Sequence, residues 1–577
     1  MRKIAIIFVL LILVTPIFAE EIDFSPSAIG EMEVQVKVFG EGSINGLEIG
    51  QQAKMQILTF QKSAFQEIEI VRESVFINDK TIPANHTFDE FNNKYAEFVI
   101  PENGSFRYEL IANITTTSLI HNIEDYNLSE GIVVGGNYLE PSEKVESDSS
   151  EIATLSANKF TKDSFLETLN DTVSWVNDYV EYARDSDFQK YYLLQQSALE
   201  TLRDKKGVCD EFANLGTAIL RAKGIPTRLA IGITFDGRDW GNHAWIEVYQ
   251  PKIGWIPSDP TFRESGFVDA THIKMGAFSD VSLSLAKAIF PSNASVSFNP
   301  PTLPEVVIID KQYFDAVELD LKAPSMEAKN WNELVVSVTN KTNSDLMAPV
   351  SFNENYQELY LKVSRQDVRL GPGETKDVIF EIYPDVELTS GQVATGDGLR
   401  VSSLSTPVEM EFEIKYSSEE DAGTVEVIDI TPIVSGDDLE IEVTASNYSP
   451  EDATITIKIS NGNTVLEEDV TLESFTLMNR ITKKISSFKE EDYTVEVTTQ
   501  SAKYTQNVNP VKIEASNIVV EDQNQGITQQ VDTTQANNNF SIDLSLENPI
   551  VILMLVVLLM VMALVTAYYF SQKTRYI

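Results

Sequence analysis

Apolar and polar residues alternate with period two along most of this chain and shift to a helical period in one region only. In EMEVQVKVF (31–39), Met32, Val34, Val36 and Val38 share a face, and FRYELIANI (106–114) repeats the pattern with Phe106, Tyr108, Leu110 and Ala112. Turn-rich stretches separate these runs, which predicts a β-sandwich over residues 24–145. Alternation returns in ELVVSVTN, LYLKVSR, DVIFEIYP and VEMEFEIKY, and again in DLEIEVTAS, ATITIKISNGNTVLEE and YTVEVTTQ. Two further sandwiches are expected, over 312–416 and 424–514.

Between the first sandwich and the other two, a polar stretch, PSEKVESDSSE (141–151), reads as a linker. In DSFLETLNDTVSWVNDYVEYAR the residues Leu166, Leu169, Val173, Val176, Val180 and Ala183 then recur at steps of three and four. That spacing predicts a helix of about twenty residues. A second helical run, YYLLQQSALETLRDKK, leads into a third from about 209 to 223, which stops at Gly224 with Pro226 just beyond. The β-like runs RLAIGITF, HAWIEVYQ and GWIPSDPT follow. Helices first and strands second predict an α+β unit over 155–300.

The two ends suggest a location. Residues 1–19 carry Arg2 and Lys3, a short apolar run and Ala19, the pattern of a signal peptide. Residues 516–548, rich in Gln, Asn and Thr, read as a polar stalk. Ile550 to Phe570 hold no charge over a length that can cross about 30 Å of hydrocarbon, so a single transmembrane helix is expected at 550–570. Lys573 and Arg575 mark 571–577 as a cytoplasmic tail. The expectation is a single-pass cell-membrane protein with its bulk extracytoplasmic.

Composition narrows the partners. A net charge of −43 repels phosphate backbones, which excludes nucleic acid as the expected partner. Asn-x-Ser/Thr sequons at Asn85, Asn103, Asn113, Asn127, Asn170, Asn293, Asn340, Asn447 and Asn539 are candidate glycosylation sites. Low cysteine and high acidity point to an archaeal or bacterial envelope.

The chain has one cysteine, Cys209, in KKGVCDEFANLGTAILRAKGIPTR. It is a small buried hydrophobe, an intermolecular crosslink or a working thiol. A helix's first turn stabilises a thiolate through unpaired N–H groups and partial positive charge. Gly207 lets the chain turn tightly ahead of it. Asp210 and Glu211 pull the other way, but exposed first-turn charges are worth only ~0.3–1 kcal/mol. A histidinium partner outweighs them. Of the four histidines, His86 lies in a sequon, His121 in the first β unit and His272 beyond the strands, while His243 opens the strand HAWIEVYQ. Asp259, two residues after Pro257 and directly before Pro260, is suited to fixing one tautomer of a histidine. Trp240, Trp245 and Trp255 read as core packing rather than substrate platforms.

The order Gly-x-Cys opening a helix, then NHAWIEV, then GWIPSDPT resembles the transglutaminase-like core, a papain-related α+β fold. The likeness covers residues of about 160 to 265. It implies Cys209 as nucleophile, His243 as general base and acid, and Asp259 as orienting carboxylate, with no cofactor and no metal. No calcium site of the animal enzymes' type can be mapped onto the chain. The chemistry implied is acyl transfer through a thioester on a protein or peptide substrate, with a peptidase or amide hydrolase favoured over a crosslinking transglutaminase. The alternative is a non-catalytic cell-surface adhesion or envelope scaffold. VSVTNKTN at 336 and IEVTASNY at 441, each a strand running into an Asn turn, give the last two sandwiches a resemblance to adhesion-like immunoglobulin-type modules.

Overall fold

The computed structural model describes residues 28–510, apart from 119–125, 129–137, 280–285, 299–303, 323–324, 353–357, 419–422 and 436. The described residues are mostly β, with 54% in strands and 13% in helices.

Met32, Val34, Val36 and Val38 are all buried, as their alternation requires, on the long strand Ile29–Asn45. That strand pairs antiparallel with Gly104–Thr117, which in turn pairs with Gln66–Ile77. A second sheet faces this one, built on Ala53–Leu58 and Lys94–Ile100. Both sheets also take strands from far along the chain. Ser295–Phe298 and Glu305–Tyr313 pair with Ile29–Asn45, and Ala286–Ile289 pairs with Ala53–Leu58. The α+β unit is therefore bracketed by strands of one sandwich.

Among the described residues, five helices precede the sheet of that unit: α1 (Ser150–Lys159), α2 (Phe165–Tyr179), α3 (Asp185–Leu194), α4 (Ala198–Asp204) and α5 (Cys209–Ala222). The sheet is antiparallel, in the order Gly254–Ser258, Trp240–Gln250, Thr227–Phe235, Ile273–Phe278. α2 is shorter than its periodicity predicts. Val180 is extended, and Glu181–Tyr182 pairs in parallel with Lys206–Gly207, just ahead of α5. The second helical run divides at Gln195, which is left-handed, and α4 restarts at a Ser197/Glu200 capping box. α1 begins inside the stretch expected to be linker, N-capped by Ser149.

α5 is buried on all sides, between helices and sheet, as a central helix must be. Gly216 lets it close on the loop after Gly254–Ser258, since an added Cβ would stand 3.2 Å from Pro260. The far side of the sheet is not free. Ile233, Phe235, Ile273 and Phe278 are buried in one continuous core with Val34, Phe98 and Leu110 of the sandwich.

Residues 317–415 and 425–508 each form two further β-sheets with a core of their own. The last module docks on the helices. Lys159 pairs with Asp429 and Lys205 with Glu442, and Arg480 donates to the carbonyls of Tyr179 (2.7 Å) and Asp178. Two of the expected glycosylation sites are corrected here. Asn340 and Asn447 are buried, and each Nδ2 donates to backbone carbonyls, of Ser344, Leu370 and Gly371 in one module and of Glu451, Leu472 and Glu473 in the next. The amide nitrogen that would carry a glycan holds a turn shut instead.

The expected transmembrane helix is also corrected. Among the described residues no helix is long and apolar enough to cross a membrane, so none of them supports the expected single-pass location. The run at 550–570 itself lies outside the described residues, with 1–19, 516–548, 571–577, His121 and Asn539.

Candidate active site

Cys209 is the first residue of α5, its thiol free and only 7% exposed. That burial disfavours a crosslink to another chain. The turn before it is pinned by Glu211, whose Oε2 accepts the Val208 N–H and whose Oε1 accepts the Gln196 N–H, both at 2.7 Å. Gly207 is needed because a Cβ there would lie 2.4 Å from the Cβ of Glu211. The two acids are not the exposed charges expected of them: Glu211 is fully buried and Asp210 half-buried. Burial pushes the Glu211 carboxyl up to about 7, against the pull of the Val208 N–H.

A group whose folded pKa is raised stabilises the fold fully below its unfolded value of 4.5, and that stabilisation is lost as pH rises through 7. Glu211→Gln is therefore expected to abolish this pH dependence of the urea midpoint. It should also lower the unfolding free energy at pH 5 by about 1–3 kcal/mol, because one buried N–H then faces an amide NH2.

The sulfur of Cys209 accepts the Ala244 N–H, and Asp210 Oδ1 lies 3.7 Å away. Burial, then the charge of Asp210, pushes the thiol up, while the Ala244 N–H pulls it down. Desolvation thus outweighs the acidic neighbours weighed in the sequence.

Ala244 follows His243 on the strand Trp240–Gln250, and the charge of His243 is felt at Asp210, the residue after Cys209. His243 Nε2–H donates to Asp259 Oδ2 at 2.7 Å, which leaves Nδ1 as the basic nitrogen. The ring is stacked between Trp245 and Phe262, at centroid distances of 5.9 and 5.0 Å. Trp245 is thus core packing, as expected, and also a wall of the site. Trp240 and Trp255 pack elsewhere, against Phe235 and Arg228.

Asp259 is fully buried, and its Oδ1 accepts the Thr261 N–H at 2.7 Å, which fixes the Asp-Pro-Thr turn. Burial raises its pKa, but the charges and hydrogen bonds of His243 and His272 hold it well below the usual carboxylate range.

Sequence reasoning missed His272. The residues beyond Asp259 loop back so that His272 Nε2–H also donates to Asp259 Oδ2, at 3.1 Å, with Asp269 and Glu264 buried behind it. The spacing Asp-x-x-His at 269–272 was the only local signal. Atoms of His243, Asp259 and His272, and of Glu264, Asp269 and His272, lie within 4.8 Å of one another, close enough to grip an ion. The 2.7 and 3.1 Å separations at Asp259 are instead those of hydrogen bonds, shorter than the roughly 3.3 Å between ligands of a tetrahedral zinc.

Residues 155–260 match the family model of the transglutaminase-like superfamily. A protein-glutamine gamma-glutamyltransferase of Pseudomonas aeruginosa is 35% identical over 71 residues, 10% of each chain. A peptide-N(4)-(N-acetyl-beta-glucosaminyl)asparagine amidase of Gallus gallus is 30% identical over 102 residues, 17% of this chain and 15% of that one. The chain thus spans a small part of the length of these curated relatives. A crystal structure described as a "putative cysteine protease" from Cytophaga hutchinsonii aligns with 49% of this chain and 94% of its own, at 20% identity and a TM-score of 0.35.

Proposed function

We propose that this chain is a cysteine acyl-transfer enzyme acting on amide bonds of proteins or peptides, and that hydrolysis is its main reaction. The observation that carries the reading is the alignment of one strand with one helix start. Ala244 donates to the Cys209 sulfur while the adjoining His243 is oriented by buried Asp259.

In the reaction, His243 Nδ1 takes the thiol proton as Sγ attacks the carbonyl carbon, and the imidazolium gives that proton to the departing amine. The acyl group stays on sulfur as a thioester until water, or an amine in a crosslinking reaction, attacks with His243 again taking the proton. The N–H of Cys209 at the helix start is suited to meet the developing oxyanion. A non-catalytic scaffold is the second reading, and what favours it is the 7% exposure of the sulfur.

The rate of Cys209 alkylation by iodoacetamide against pH separates the two. With a single cysteine the signal is unambiguous. Although burial and the Asp210 charge push the thiol up, pairing with the His243 imidazolium is expected to outweigh both, so that the rate stays high well below the ordinary thiol value of ~8.5 and loses that low-pH component in His243→Ala. An ordinary thiol titration in both proteins would leave the scaffold reading in possession.

A further inference from the structure

We propose that His272 is a permanently charged positioning residue, an imidazolium held between Asp259 and Asp269 that sets the acidity of the Cys209–His243 pair from behind. This rests on the acyl-transfer reading above. Both ring nitrogens face only acceptors: Nε2 faces Asp259 Oδ2 at 3.1 Å, and Nδ1 faces the carbonyl and Oδ1 of Asp269, both at 3.3 Å. A neutral imidazole keeps one bare lone pair, which here would point at an oxygen in a fully buried site. Two protons on the ring satisfy every contact.

The surroundings are built to hold that charge. Asp269 is fixed by the Thr271 N–H and hydroxyl at 2.7 and 2.6 Å, and its own N–H donates to Glu264 Oε2 at 3.0 Å. Burial and then the Asp269 charge push the Glu264 carboxyl well up. Arg365, from a neighbouring module, adds a positive charge on the Glu264 side. The remaining faces of the His272 ring meet Trp245, Phe262 and His243 edge-on, at 5.2, 5.6 and 5.5 Å. Burial alone would strip the ring's proton, but the hydrogen bonds to Asp259 and Asp269 outweigh it.

A carboxylate shared by two imidazoles pulls on each less than it would on one. The charge on His272 therefore holds His243 less basic, and the nearby thiolate more stable, than Asp259 alone would make them. His272→Gln keeps an N–H toward Asp259 and removes the charge. Measured on the full chain, both limbs of the Cys209 alkylation profile should move about one pH unit alkaline. Asp269→Asn removes a negative charge while keeping an oxygen for Thr271, and should move them acid. A purely structural role would lower the rates and leave the midpoints in place.

Two unmoved midpoints overturn the inference alone, provided His243→Ala still abolishes low-pH alkylation of the parent. If His243→Ala has no effect, it is the acyl-transfer reading that has failed. Nitrogen-15 NMR of the histidine-labelled parent needs no variant to fold. A His272 ring still doubly protonated at pH 9 is the result expected, and a neutral ring there overturns the proposal.

Discussion

Cys209→Ser removes amide-bond cleavage by at least ~10⁴-fold while leaving the melting temperature close to that of the parent. Loss of the nucleophile from a triad costs about 10⁴–10⁶-fold because a hydroxyl does not ionise against an imidazole as a thiol does. Serine is smaller than cysteine by little, and its oxygen can accept the Ala244 N–H that the sulfur accepts now, so the buried turn at Val208 keeps its bonds. The assay is ammonia and peptide release from dimethylcasein, run with and without a fluorescent primary amine. Activity surviving in the serine variant would remove Cys209 from the chemistry. Amine incorporation that outruns release would make the enzyme a crosslinker rather than a hydrolase.

The second large effect is expected at a residue that touches no reacting atom. Gly232 lies opposite His243 in the sheet, where its pairing with Ile273–Phe278 shifts register. A Cβ there would stand 2.0 Å from the carbonyl oxygen of Ile273 and 3.0 Å from the Trp245 ring. The obstruction is backbone, so the strands must part. Gly232→Ala should cost about 3 kcal/mol or more. Ile273 follows His272 directly, and Trp245 flanks His243, so the displacement reaches both sides of Asp259. A misplacement of about 1 Å costs around 10²-fold in rate. Thermal melts and Cys209 alkylation at pH 6 read the two effects. Gly241→Ala is the control, since a Cβ there meets nothing within 4 Å. A Gly232→Ala protein as stable and as reactive as the control would mean the sheet yields where it is drawn as tight.

Much of this was readable along the chain where the cause is local. Alternation placed Val34 and Val36 in a core, and Gly224 and Pro226 marked the end of α5. Cys209, His243 and Asp259 could be named as candidates because the short motifs around them resemble those of the transglutaminase-like core. What escaped depends on partners distant in sequence. The strands at 286–313 alternate no differently for belonging to a sandwich that begins at residue 29. The α2 pattern ran on through Val180 because the strand pairing that ends the helix involves Lys206 and Gly207. Nothing near Asp210 or Glu211 foretold their burial, which comes from the packing of Gln196 and the sheet over them. His272 escaped for the same reason, because its partner Asp259 reaches it through a looped-back chain. At Asn340 and Asn447 the three-residue sequon is the same whether the amide faces water or plugs a turn.

The way the first sandwich is completed also sets an order of events during synthesis. Ile29–Asn45 leaves the ribosome early, yet one of its flanks stays unpaired until Ser295–Phe298 and Glu305–Tyr313 have emerged. At about 5–20 residues per second that interval lasts tens of seconds. By its later part the five helices and the strand bearing His243 are already made, while Ile233 and Phe235 have no finished core to enter. A nascent chain stopped before residue 305 thus holds every residue of the candidate triad but not the scaffold that seats them, so the thiol matures only when the last strand arrives.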